Sequence, residues 1–205
     1  SIEPKERAFH EIEEYVGYLL TKPGARAVDS RGFELLYRNH KKNVILGVAA
    51  LLAAILCGTA MFSVEYRTGV SDFIRISPER KKVLCTKLLI LLATVLVFYG
   101  FVYGRHLFQV LRGYGTSGIG LQANSIRDLA DVSAKISIGT YLTLLYIKRF
   151  FGLILATLIT VLLVRKLKSF LLTAVAALAI LVVPLLLCLA DLSAVRWISL
   201  NWFFV

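Results

Sequence analysis

Acidic residues and the usual reactive side chains are scarce in this sequence. Of 205 residues, 13 are Asp or Glu, three are His, three are Cys and one is Met. The cysteines, Cys57, Cys85 and Cys188, lie in or at the edge of apolar runs, with no Cys-x-x-Cys spacing and no His beside them. That pattern supports neither a zinc site nor a disulfide framework, and Cys in such places acts as a small hydrophobe. No HExxH, no paired carboxylates and no Ser/His pair fall within the apolar runs, which removes the common routes to an intramembrane enzyme. The phosphate-loop spacing GxxxxGK[S/T] is also missing. The glycine-rich stretch Gly113–Ser125 has no strand before it and no Lys after its glycines. No catalytic, cofactor-binding or metal-ligating residue is therefore assigned.

Apolar residues and cations are what the chain has in abundance. It is 58% apolar, with 24 Lys and Arg and a formal net charge of +11. No basic, aromatic-bearing soluble module is present, so the cations point to topology and anionic headgroups rather than to nucleic acid. Val44–Ser63 is free of charge, and about 20 apolar residues span about 30 Å as a helix. Further spans are expected at about 84–104, 141–164 and 169–190. The fold class is thus all-α, a polytopic membrane helical bundle with four spans. Gly47, Ala50, Ala54 and Gly58 form a small-residue stripe that either admits a neighbouring helix or is simply tolerated by lipid. Lys148 and Arg149 lie about two turns into the third span and are expected to snorkel outward, the alternative being that they face a polar cavity. Tyr99 and Tyr103 are expected at an interface, as is the aromatic segment 191–205 with Arg196, Trp197 and Trp202.

Residues 1–43 carry amphipathic pieces. Phe9, Ile12, Val16, Leu19 and Leu20 share one helix face, and His10 and His40 are surface residues. This region reads as the membrane-proximal part of an external region, 44–190 as the transmembrane domain, and 191–205 as an external interfacial segment. The chain opens on Ser-Ile-Glu-Pro and ends in apolar sequence, and it is read as part of a longer polypeptide. The short basic loops 64–83 and 165–168 are expected in the cytoplasm, and 1–43, 105–140 and 191–205 outside.

The stretch Glu65–Lys87 stands apart from the other connections. It holds six of the 24 cations together with Val70, Phe73, Ile74, Val83 and Leu84 at helical spacing. Its residues Glu65, Tyr66, Arg67 and Gly69, followed by Phe73, Ile74, Ser77, Arg80 and Lys87, resemble the first cytoplasmic loop of type-2 ABC transporter permeases, in particular the large bacterial, Firmicutes-like branch. The resemblance covers about residues 44–190 and includes Ser117–Ile126 and the span that follows it. It departs at Ser77-Pro78-Glu79-Arg80, where a Gly is common before the Arg, and Pro78 ends any helix at or before Ser77.

That resemblance implies a membrane permease of six spans, of which four are visible here, paired with a second copy or homologue. It also implies a coupling helix, Val70–Ile76, resting in a groove of a separate ATP-binding subunit that carries the ATP and Mg. Glu65, Tyr66, Arg67, Gly69, Val70, Phe73, Ile74 and Arg80 would make that contact. The expected function is ATP-driven export across the cell membrane by a chain that is not itself an enzyme and binds no cofactor. A membrane sensor or immunity protein using the same scaffold is the alternative. The cargo is not readable, although spans without an ordered polar constellation lean toward an amphipathic one.

Overall fold

The structure is a computed structural model that describes residues 3–22, 24–27, 29, 31–37, 40–116, 118–130, 132 and 135–187. Cys188 and the segment 191–205 lie outside the described residues. In hydrocarbon every backbone N–H and C=O must be satisfied within the segment, so apolar runs of this length become helices. Among the described residues there is no strand, and one isolated antiparallel bridge joins Gln122 to Ser137.

Four helical stretches are long and apolar enough to cross a membrane: Lys41–Arg67, Arg80–Tyr114, Ile138–Leu167 and Phe170–Leu187. The first lies within α3 (His40–Arg67), after α1 (Glu3–Thr21) and α2 (Arg31–Tyr37). A seven-residue helix, α4 (Val70–Ile76), separates it from α5 (Arg80–Tyr99), which passes through a π-helical turn at Gly100–Gly104 into α6 (Arg105–Tyr114). The third stretch is α7 (Ile138–Leu167), and the fourth joins α8 (Phe170–Ala177) to α9 (Val183–Leu187) through a second π turn, Leu178–Val182. The first three overrun their charge-free cores. Lys and Arg are good helix formers whose long stems let a helix continue past the hydrocarbon edge. A continuous α7 also explains how a charge-free part of only 15 residues, Phe150–Val164, can belong to a full span.

The chain divides into two compact units. One comprises residues 39–108 and 147–205. Within it α3 packs against α5 and α8. Gly47, Ala50, Ala54 and Gly58 are all buried, so the small-residue stripe is a helix-packing face rather than a lipid-facing one. A β-carbon added at Gly58 would lie 3.3 Å from Cγ2 of Thr160 and 3.8 Å from Cδ2 of Leu91. Between helices already in lipid the gain comes from close van der Waals contact, which small residues permit. Thr59, Thr157, Thr160 and Thr173 are buried as well, and each donates its hydroxyl to the carbonyl four residues back, at 2.6–2.9 Å. Each of these hydroxyls is satisfied within its own helix.

The other unit comprises residues 1–38 and 109–146. The connection that follows α6 makes two 3-10 turns, Ala123–Ser125 and Arg127–Leu129. The Tyr15 and Tyr18 hydroxyls donate to the carbonyls of Ser125 and Asn124 at 2.9 and 2.7 Å, and Arg127 binds Glu14 at 2.7 Å. The tyrosine side of α1 packs, while Phe9, Ile12, Val16 and Leu20 stay exposed. Carbonyls of an irregular loop need donors, which tyrosine hydroxyls supply and aliphatic side chains cannot.

Candidate functional site

The site is built where α3 ends. Thr68 turns both its backbone N–H and its hydroxyl onto the Val64 carbonyl, at 2.9 and 2.8 Å, and closes the helix. Gly69 follows at φ 72°, a left-handed conformation that costs a residue with a β-carbon about 1 kcal/mol. The chain reverses there into α4. At the other end Ser77 is extended, as the residue before a proline must be. Its hydroxyl accepts the Glu79 N–H at 3.2 Å, and α5 begins at Arg80. Gly69 and Pro78 thus bracket a helix of seven residues, with no room to lengthen at either end.

The two faces of α4 differ. Val70, Phe73 and Ile76, three residues apart, form an exposed apolar stripe, with Phe73 77% and Ile76 84% exposed. Ser71 and Ile74 turn the other way and line a cavity of about 440 Å³. The outward trio differs at one position from the expected Val70, Phe73 and Ile74. With 100° per residue, position 74 lies between 70 and 71, about 100° from 73, whereas 76 continues the row begun by 70 and 73.

Three other pieces of chain close the cavity. Glu65 and Tyr66 come from the end of α3, and Arg80, Val83, Leu84 and Lys87 from the start of α5. Arg165 and Lys168 come from the turn between α7 and α8. The Lys87 ammonium pairs with the Glu65 carboxylate, which ties α5 to α3. Lys168 is in the left-handed region at φ 54°, and its N–H donates to the Val164 carbonyl at 2.8 Å. That conformation is usually left to Gly or Asn.

No family model, curated protein or solved structure matches the chain.

The geometry of the site itself therefore carries the functional reading. Of the eight residues singled out by sequence, the cavity gathers Glu65, Tyr66, Ile74 and Arg80. Val70 and Phe73 face outward, Gly69 forms the turn, and Arg67 is exposed at the end of α3. Arg165, Lys168 and Lys87 join the cavity without having been singled out. The signal for Arg165 and Lys168 was present in their expected placement on the same side as Glu65–Lys87.

A second polar feature lies within the bundle. Arg149 has no exposed surface, and its guanidinium carbon is 5.7 Å from the centroid of the Tyr103 ring. Tyr99 packs on Tyr103 at 4.7 Å and on Phe150 at 5.3 Å between ring centroids. This corrects two expectations: Arg149 does not snorkel outward, and Tyr103 is an interior rather than an interfacial ring. The π turn at Gly100–Gly104 contains the reason, since Tyr103 is its buried residue. His106, one turn on, is buried with neither ring nitrogen hydrogen-bonded among the described residues.

Proposed function

We propose that this chain is the membrane-spanning permease subunit of an ATP-driven ABC exporter, driven by a separate ATP-binding subunit that docks on α4. The observation that carries this reading is the exposed stripe of Val70, Phe73 and Ile76 on a short helix held against the ends of the spans. An amphipathic helix with apolar residues at i, i+3 and i+6 suits a hydrophobic groove on a partner protein. A large aromatic at its centre is the kind of residue that dominates such contacts. The opposite face is anchored near the Glu65–Lys87 pair, so a displacement of α4 would reach α3 and α5 together. That is the mechanical requirement for coupling: a small docking element with two stiff levers. Among the described residues the spans supply helix-packing faces and no buried carboxylate beside Arg149 and His106, which suits an amphipathic cargo better than a cation.

The reading is tested by purifying the tagged chain from its native host in mild detergent. The wild-type chain is expected to bring down an ATPase with Walker motifs, and Phe73→Asp with Ile76→Asp is expected to lose it while inserting normally. Recovery of the ATPase in equal amounts with the double variant would remove the docking role of α4.

A further inference from the structure

The cavity behind α4 has a chemistry of its own. Four cations line it, Arg80, Lys87, Arg165 and Lys168, against two carboxylates, Glu65 and Asp72. Glu65 is engaged by Lys87. Arg80, Arg165 and Lys168 have no ion-pair partner among the described residues, and all three are exposed. They come from two turns more than 80 residues apart in sequence, and Lys168 holds its place in a left-handed conformation. Tyr66 and Ser71 add hydroxyl groups to the lining, and Phe62, Val83 and Leu84 add an apolar part.

We propose that this cavity is a binding site for a phosphate-bearing anion, and that the anion is the headgroup of a negatively charged phospholipid. Phosphate is the ligand that a guanidinium fork and ammonium groups recognise best. About 440 Å³ accommodates a phosphorylated headgroup with its glycerol. The lipid source is favoured over a free phosphate by position. The cavity lies at the ends of apolar helices, its lining is partly apolar, and α8 begins two residues after Lys168 with Phe170, Leu171 and Leu172 exposed. A phosphate held by Arg165 and Lys168 leaves the acyl chains against that surface. Basic pockets between transmembrane helices near their cytoplasmic ends bind anionic headgroups in this way. The site requires nothing of what docks on the outer face of α4.

The test uses the full chain in detergent, titrated with phosphatidylglycerol or phosphatidylcholine, with bound lipid counted by native mass spectrometry. The wild-type chain is expected to retain one tightly held phosphatidylglycerol and no phosphatidylcholine. Arg165→Gln with Lys168→Gln is expected to weaken that binding roughly 30-fold, at about 1 kcal/mol for each cation near the headgroup. Lys81→Gln with Lys82→Gln removes the same charge from the start of α5, outside the cavity lining, and is expected to change binding less than about threefold. Equal losses in the two variants, or equal retention of the two lipids, would overturn the proposal. Displacement of the lipid by millimolar inorganic phosphate, with tighter binding of the free anion, would assign the cavity to a soluble phosphate and contradict the lipid source. Both variants leave Val70, Phe73 and Ile76 intact, so loss of lipid binding with retained ATPase separates this site from the docking surface.

Discussion

Three single residues carry conclusions that can be measured directly. Arg149 fills space beside the Tyr103 ring as well as carrying charge, and an apolar side chain of similar length keeps the volume while giving up the charge. Arg149→Met is expected to keep the bundle folded, whereas Arg149→Ala removes the bulk beside Tyr103 and destabilises by about 2–4 kcal/mol. Thermal unfolding of both variants in detergent distinguishes them. Lys168 is a strained residue in a useful place. Lys168→Gly relieves the left-handed conformation and is expected to stabilise the turn by about 1 kcal/mol while weakening retention of an anionic lipid. A variant that gained stability and kept the lipid would show that the side chain does not reach the headgroup. Glu14 reports on the other unit. The Arg127 guanidinium holds its carboxyl below the ordinary carboxylate range. A depressed carboxylate contributes stability above its unfolded value and loses it as pH falls through its folded one. The difference in Tm between the wild-type chain and Glu14→Gln is therefore expected to shrink below about pH 4. High salt at neutral pH should shrink it too, because the pair is exposed.

At the scale of elements, spans and turns were legible to different degrees. Runs such as Val44–Ser63 announce a helix because nothing else is stable in hydrocarbon, so the four spans could be read from charge alone. The Gly69 and Pro78 boundaries of α4 were legible for the same kind of reason: one residue tolerates left-handed φ and the other forbids a helix before it. Faces were harder. Nothing in the sequence says that α1 packs through Tyr15 and Tyr18, since that choice is made by carbonyls of a loop more than 100 residues away. Arg149 was misjudged because depth along a helix is visible in sequence, whereas the side of the helix facing its neighbours is not. The small-residue stripe of α3 had two readings, and burial of all four residues decides between them. Gly58→Leu is expected to force α3 away from Thr160 and Leu91 and to destabilise by about 1–3 kcal/mol, checked by thermal unfolding against the lipid-facing control Leu56→Ala.

At the scale of the whole molecule, one short helix at the ends of the spans, α4, has two distinct faces. The inner face closes a basic cavity, and the outer face presents Phe73 between Val70 and Ile76. The division between these faces is what the docking reading depends on, and photo-crosslinking tests it most directly. A benzophenone amino acid placed at position 73 or, separately, at position 74 samples the two faces one residue apart in the living cell. The account predicts that position 73 captures an ATP-binding subunit carrying Walker motifs and that position 74 does not. Capture of that subunit equally from both positions, or from neither, would contradict it.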